Sequence, residues 1–597
     1  MHRNDNDRSK RADIDPLKSS TGNKTMMRVA FLIMLIAIPS LAAEPPLAEQ
    51  VFELLGRRCG TCHGKVNPQS DLNLLDYQQL LDKKVVSPKQ PEQSKIWERV
   101  HSPDADTVMP PKQPLPEAEQ TLIRRWIEEG AAEFQIATVR RPFVSLSDVY
   151  GAVEADLKQQ PQQKRSRFRY FTIYHLHNNP TVSDADLRMF RAALSKLANS
   201  LSWESAIIVP EAVADTHQTV LRIDLTQIGW QEGRLWNKLL TYYPYGLTHD
   251  SSGDRKLAAA ASFVYEETGS RIPVIRADWF VATAAVPPLY HEMLRLPDGP
   301  GADKTLERML RVDVESDFVN DRLQRAGFNK SNVSQHNRLV DRHPSAYGAY
   351  WKSYDFASSN GKQELVRFPL GPDFLDNRFS RVAFQQDGGE IIFNLPNGLQ
   401  AYLLIDANGK RIDRGPINVV FDSKQPLGNK EVINGISCMV CHAGGMQPFQ
   451  DDIRLGHALA GGDAQKLARL FPTDKEFAKV VEQDSQRFLA ALTKATLPFL
   501  SEGEDASKRE PVGAIARQFS DDVFLEDITA ELGHPNSEEL KTLFQSPAMR
   551  QFGLAVVAQG KVLKRATWES LSDQQPYSPF QEVSAALDLG TPERVFP

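Results

Sequence analysis

The four cysteines of this chain lie in two short motifs of identical spacing, CGTCH at 59–63 and CMVCH at 438–442. Two thiols three positions apart can add to the two vinyl groups of one haem, and a histidine directly after them can supply the proximal nitrogen of the iron. The sequence therefore predicts two covalently bound haem c groups. The residues expected to hold them are Cys59, Cys62 and His63 for the first haem and Cys438, Cys441 and His442 for the second.

Other chemistries of paired cysteines fit this sequence less well. A structural zinc site usually draws its four ligands from two cysteine pairs close together in the chain, whereas these pairs are far apart and each has its own histidine. A thioredoxin-like redox pair would follow a strand, which the first motif does not. Two disulfides are compatible with an exported protein, but they leave the adjacent histidines unexplained.

The first haem needs a sixth ligand, and we predict Met109. It stands directly before Pro110 and Pro111, in a loop whose stiffness suits a weak thioether ligand, and such a ligand raises the reduction potential of haem iron. One alternative is that Met109 fills a gap in the core, as methionines commonly do. The other is that His101 takes the sixth position.

Residues 45–134 resemble the small planctomycete-type cytochrome c domain. The matching features are CGTCHG at 59–64, DLNL at 71–74, MPP at 109–111 and RRWIEEGA at 124–131. In that family the histidine of the motif and the methionine before the two prolines are the iron ligands, so the resemblance implies these roles for His63 and Met109. It covers about 90 residues and carries no implication for the rest of the chain.

The sixth ligand of the second haem is left open by the sequence. Met446 lies only four residues beyond His442, and so short a loop would hardly reach the opposite haem face. His336 and His343 are seven residues apart, about two turns on one face if the segment is helical, and both are candidates. An open distal side, as in catalytic haems, is the remaining alternative.

Three cations near these histidines, Arg338, Arg342 and Lys352, could pair with the haem propionates because cationic side chains bind carboxylates. We favour the simpler interpretation, a charged helix face in water. The aromatic residues at 347–354 are expected in the core.

The N-terminal residues predict export. MMR at 26–28 precedes an apolar run from Val29 to Ile38, and small residues follow it up to Ala43. A cationic start, a short apolar stretch and a small-residue exit are typical of a secretory signal peptide, and the run is too short for a membrane span. We therefore expect a leader and signal peptide over residues 1–43, and a mature protein that is periplasmic or otherwise exported and has no transmembrane span.

The composition agrees with a large globular protein. Of the 597 residues 41% are hydrophobic, which excludes a wholly disordered chain, and the net charge of −6 does not indicate nucleic-acid binding.

The hydrophobic pattern divides the chain into unequal parts. Residues 45–134 are predicted to be a small all-α cytochrome c domain, 135–167 a linker, and 168–597 a large α+β haem-binding domain with a helical C-terminal part. Within it we expect a helix over 181–201, a strand over 220–225, a hairpin turning at Asn397-Gly398, and helices over 466–470, 476–492 and 537–544. A third strand is expected after Asn408-Gly409.

These features favour an exported dihaem cytochrome that transfers electrons between redox partners, either a protein or a small donor or acceptor. The alternative is a peroxidase- or oxidase-like enzyme in which the second haem is catalytic and the first is the electron relay. That division of labour resembles the bacterial dihaem cytochrome c peroxidases, although the mixed domain around the second motif departs from their pattern. A binding or sensing module has no direct support in the sequence.

Overall fold

The computed structural model of the chain describes residues 47–63, 72–104, 106–111, 114–134, 141–231, 234–331, 333–422, 430–571 and 576–596. The leader and signal peptide predicted for residues 1–43 lies outside these ranges and stays a prediction. The fold is of mixed α and β type, as expected. Within the described ranges, no helix has the length and hydrophobicity needed to cross a bilayer.

The described residues before 135 form four helices: α1 (Leu47–His63), α2 (Tyr77–Asp82), α3 (Lys95–Val100) and α4 (Glu117–Glu128). Their buried apolar side chains, among them Val51, Leu55 and Trp126, form a hydrophobic cluster drawn from this segment. Helix α1 packs against α4, and Arg58 of α1 binds Glu119 of α4 with 2.8 Å between Nε and Oε2.

The next part of the chain alternates helices and short strands. Its elements are α5 (Leu146–Gln159), α6 (Gln162–Arg165), β1 (Phe168–Thr172), α7 (Tyr174–Asn178), α8 (Asp184–Ser200), β2 (Glu211–Ala212), β3 (Val220–Asp224), α9 (Leu235–Leu240), β4 (Leu247–Thr248), α10 (Arg255–Thr268), β5 (Val274–Arg276), α11 (Ala277–Ala284), α12 (Leu289–Met293), α13 (Ala302–Leu310) and α14 (Val314–Val319). The predicted helix over 181–201 and strand over 220–225 are confirmed as α8 and β3.

The remaining elements begin with strands and continue mainly as helices up to a last short strand. They are β6 (Gln324–Phe328), β7 (Arg338–Ser345), β8 (Gly348–Asp355), β9 (Gly388–Asn394), β10 (Gln400–Asp406), β11 (Arg414–Gly415), β12 (Val432–Ile433), α15 (Ile436–Cys441), α16 (Gly461–Leu470), α17 (Asp474–Thr496), α18 (Pro511–Phe519), α19 (Leu525–Glu531), α20 (Ser537–Phe544), α21 (Ala555–Ala558), α22 (Arg565–Trp568), α23 (Pro579–Ala586) and β13 (Thr591–Pro592). The helices predicted after 460 are confirmed as α16, α17 and α20.

Part of the segment predicted as a linker, 135–167, is helical. Helix α5 begins after Ser145, which forms a capping box with Asp148, and it buries Val149, Val153 and Leu157. It packs against α10, beside a four-stranded sheet of order β2-β3-β1-β5. The polar residues at 158–165 comprise the end of α5, a two-residue connection at Gln160 and Pro161, and the short helix α6.

An antiparallel sheet of five strands, in the order β10-β9-β8-β7-β6, supports the second motif. The hairpin β9–β10 turns at Gly398, whose φ of +93° suits glycine, so the predicted Asn-Gly turn is confirmed. The expected third strand is wrong: after Gly409 the chain makes a single bridge from Arg411 to Ile405, and β11 then pairs with β12.

His343 lies in an extended segment and His336 in the loop before it, so the helical spacing assumed for these histidines is wrong. Residues 338–345 form β7, which is paired with β6 on one side and β8 on the other. Backbone hydrogen bonds to two neighbours hold β7 extended, and side chains along a strand alternate between faces with a period of two.

Candidate haem sites

The first motif forms the last turns of α1. Cys59 is buried in the cluster of the N-terminal helices, and His63 ends the helix. His63 Nδ1 lies 3.3 Å from the main-chain oxygen of Leu72, and its own carbonyl accepts a hydrogen bond from Leu74 at 2.7 Å. The side chain of Cys62 lies outside the described part of the structure.

Met109 lies in the loop between α3 and α4. Its main-chain N–H donates to Arg99 at 2.9 Å, which ties the loop to the end of α3, and its side chain is 36% exposed. A methionine that filled a core gap would be buried, so this exposure disfavours that alternative. His101, the other candidate, stacks on Trp97 with 4.8 Å between ring centroids.

The second motif forms the short helix α15 and the residue after it. Cys438 is 2% exposed and His442 is 9% exposed, while Cys441 is half-buried. His442 Nδ1 lies 3.1 Å from the main-chain oxygen of Gly445. The carbonyl of Met446 accepts a hydrogen bond from Ser485 at 3.3 Å, which ties the loop after the motif to α17.

The residues of both motifs fit haem c. In each, the histidine can donate its Nδ1 hydrogen to a main-chain carbonyl, which fixes the ring and leaves Nε2 as the nitrogen for iron. Cys59, Cys438 and Cys441 are not in disulfides. Among the described residues, no group of three or more histidine, cysteine or acidic side chains is arranged to hold a metal ion.

Helix α15 lies very close to its neighbours at two glycines. Gly435 precedes the helix with φ +87°, and a Cβ there would lie 2.5 Å from the carbonyl oxygen of Ala285. Gly513 on α18 faces Val440 of the motif, where a Cβ would lie 2.2 Å from Cγ2. Glycine at both positions therefore lets α15 pack directly on its neighbours.

Upstream of α15, Asn434 is held by a buried histidine. Asn434 is fully buried, and its Nδ2 lies 2.7 Å from Nε2 of His291. Burial, assisted by Arg411, lowers the pKa of His291 to about 3. His291 is therefore neutral at pH 7 and accepts this hydrogen bond.

Two tyrosines lie beside the second motif. The Tyr402 ring is 6.1 Å from the His442 ring, centroid to centroid. The Tyr290 hydroxyl accepts a hydrogen bond from the main-chain N–H of Tyr402 at 2.9 Å. Burial raises the pKa of both phenols well above the usual value, so both stay protonated at neutral pH.

Glu390 is an acidic side chain that lies beside the second motif. Its carboxylate lies beside the thiol of Cys438, and Arg338 Nη2 lies 3.2 Å from its Oε2. Burial opposes ionisation of Glu390, but His442 and Arg338 outweigh it and lower the pKa of the carboxyl. Burial, reinforced by Glu390, raises the pKa of the Cys438 thiol.

The three cations considered for propionate binding belong to strands and already have carboxylate partners. Arg342 Nε lies 2.8 Å from Asp484, and Lys352 Nζ lies 2.8 Å from Asp303. The interpretation as a charged helix face in water is therefore wrong. Arg338 alone among them contacts a residue next to the motif.

The two histidines proposed for the second sixth position differ in their surroundings. His343 is fully buried, with Nδ1 3.0 Å from Asp317 and Nε2 4.0 Å from Asp341. His336 is half-buried in the loop before β7, where its main-chain N–H donates to Ser334 at 3.2 Å. These contacts give His343 a role in the core, and iron ligation by either residue stays a prediction.

Sequence reasoning missed Glu390 and Tyr402 as neighbours of the second motif. Both were included only as strand residues of the hairpin. The single acid beside Ile391, Ile392 and Phe393 in a buried strand was the available signal for Glu390, because a charge in such a strand needs a partner.

A second buried charge cluster was also missed. Asp278 binds His175 Nε2 at 2.9 Å and Arg276 at 2.6 Å, and Arg276 also binds Glu531 at 2.8 Å. Burial lowers the pKa of His175, so this histidine is a neutral member of the network, and Arg565 supplies a second cation by binding Glu531.

Comparison with known protein families finds a match for one segment of the chain. Residues 59–113 match the family model of planctomycete cytochrome C, which confirms the resemblance over that segment, including the first motif and Met109. The match supports covalent haem c and a haem-based electron-transfer protein. No curated protein and no solved structure matches the chain.

Proposed function

We propose that the chain is an exported dihaem c-type cytochrome that passes electrons between redox partners. Residues 45–134 would form a cytochrome c domain and 168–597 a separate haem-binding domain. The observation that carries the proposal is the common geometry of the motifs: a cysteine pair, then a histidine whose Nδ1 faces a main-chain carbonyl. When bound, each haem would supply a one-electron ferric–ferrous couple.

The roles of the protein residues follow from their positions. Cys59 and Cys62 would attach the first haem, with His63 and Met109 as axial ligands. Cys438 and Cys441 would attach the second, with His442 as its proximal ligand. The Leu72 and Gly445 carbonyls would hold the two imidazole rings in orientation, which second-shell acceptors commonly do for metal-bound histidines.

One observation keeps the enzyme alternative in place. His442 is 9% exposed and is enclosed by strands and helices, whereas a simple carrier needs little protein around its haem. A catalytic second haem would explain this enclosure.

The proposal is tested by counting covalent haem. Mass spectrometry and the pyridine haemochrome assay should find two haem groups on the mature wild-type protein. The Cys59→Ser/Cys62→Ser and Cys438→Ser/Cys441→Ser variants should each lose one. Mature protein without porphyrin, or with zinc at the motifs, would contradict the proposal.

Carbon monoxide separates the two functions once both haems are present. A six-coordinate carrier should not bind carbon monoxide at its reduced second haem, so the Soret band of the Cys59→Ser/Cys62→Ser variant should stay unchanged. A shifted band would favour the enzyme and count against the pure carrier.

A further inference from the structure

A small charged network lies on three adjacent strands beside the second motif. Glu390 of β9 lies beside the Cys438 thiol and 3.2 Å from Arg338 of β7. Arg338 Nε lies 2.9 Å from Oδ1 of Asp355 on β8. The three strand side chains are at most 14% exposed, so water screens their charges weakly.

A hydroxyl group at the centre fixes the network. Ser353 Oγ accepts from Arg338 Nη2 at 3.0 Å and from the Glu390 N–H at 2.8 Å, and it donates to Asp355 at 3.2 Å. Two carboxylates thus share one guanidinium in a fixed arrangement, and the network has an excess of negative charge.

The network reaches the attachment point of the second haem. In the proposed holoprotein, the Cys438 thiol would add across a vinyl group of the porphyrin, with its sulfur forming the thioether and its hydrogen passing to the other vinyl carbon. Glu390 would keep its contact with Arg338 and would lie beside the sulfur that attaches the haem.

Given the proposed second haem, we infer that Glu390 lowers the reduction potential of that haem and makes it the lower-potential haem of the pair. Ferric haem has one more positive charge than ferrous haem, so a buried carboxylate nearby stabilises the ferric form. The first haem, with Met109 as its thioether ligand, would have the higher potential. Electrons would therefore enter at the second haem and leave through the first.

The test is a spectroelectrochemical titration of full-length holoprotein. The Cys59→Ser/Cys62→Ser background, which has only the second haem, assigns its potential. On that background, Glu390→Gln should increase the ratio of reduced to oxidised haem at fixed potential at least tenfold, a rise of about 59 mV for a one-electron couple. Arg338→Gln, which removes the positive charge, should lower the potential.

The two variants should shift the reduction potential in opposite directions. Disruption of the fold would instead shift the potential of both variants in the same direction, so the comparison distinguishes an electrostatic effect from a structural one. Glu538→Gln is the matched control, because it removes the same charge from a side chain that is 76% exposed and should leave the potential unchanged. If Glu390→Gln fails to take up haem, the decision falls to Arg338→Gln, where a lower potential supports the inference and an unchanged one overturns it.

If the wild-type protein has both haems, two results would overturn the inference. One is an unchanged potential of the second haem in Glu390→Gln. The other is a wild-type second haem whose potential is higher than that of the first. Failure of the proposed function itself looks different. The haem count would then find no second haem before any titration begins, and the inference would fall with it.

Discussion

The hydrogen bond between His291 and Asn434 predicts an acid sensitivity specific to the entry of the second motif. Asn434 directly precedes Gly435, and its Nδ2 lies 2.7 Å from His291 Nε2, so this nitrogen must be unprotonated to accept the bond. Asp413 lies 3.5 Å from Nδ1 but is 65% exposed, so its charge is well solvated. Protonation of His291 would therefore break the bond to Asn434.

The size of the effect follows from linkage. The pKa of His291 is lowered from 6.5 to about 3 in the folded state, so the unfolded chain takes up this proton first as the pH falls. Stability is therefore fully present above about pH 6.5 and decreases toward pH 3. The expected loss from this group is about 2 kcal/mol at pH 5 and about 3 kcal/mol at pH 4.

The assay compares the pH dependence of the unfolding free energy in wild type and in His291→Gln, by urea denaturation between pH 7.5 and 4. Glutamine can accept the hydrogen bond of Asn434 but does not titrate in this range. The variant should therefore lose about 3 kcal/mol less than wild type on going to pH 4. His217→Gln, at an exposed histidine, is the control. Parallel profiles for wild type and His291→Gln would refute the reasoning.

Three further predictions concern single positions. Met109→Ala should convert the first haem to a high-spin or ligand-accessible form, visible by absorption and EPR spectroscopy, and an unchanged spectrum would exclude Met109 as ligand. Gly435→Ala should lower stability by about 2 kcal/mol or more, because φ is +87° and the new Cβ would lie 2.5 Å from the Ala285 oxygen; equal denaturation midpoints would contradict this. Asp341→Asn should cost about 3–5 kcal/mol, because it leaves Arg325, which is bound at 2.6 Å and fully buried, without its anion. The double change Arg325→Met/Asp341→Leu should cost less, and a larger loss would show that packing rather than charge dominates.

Local sequence signals predicted the elements that begin or end at a clear capping or turn motif. Ser183 with Asp186 fixed the start of α8 through a capping box, and the Asn-Gly pair at 397–398 fixed the β9–β10 turn. These signals lie within a few residues of the structure that they specify, so a single sequence suffices to find them.

The surroundings of the second motif depend on contacts between residues far apart in the chain, which no local pattern encodes. Glu390 and Cys438 meet only because α15 packs near the strands of the five-stranded sheet. The helical spacing considered for His336 and His343 is wrong for a related reason: the segment that contains His343 becomes a strand by pairing with both β6 and β8. Tertiary pairing of this kind overrides local propensity.

The difference between the two motifs explains why the second needs so much protein around it. The first lies at the end of α1, a helix of 17 residues with its own apolar cluster. The second lies on α15, a helix of 6 residues, which is too short to be stable in isolation.

Helix α15 has to be held from outside, by the hydrogen-bonded turn at Asn434, by close packing at Gly435, and by α18. Helix α18 is itself anchored by Glu510, which caps it and binds the buried Lys196 of α8. The contacts that position the second motif therefore come from residues far from it in the chain, and the large C-terminal part supplies them whichever reaction that site performs.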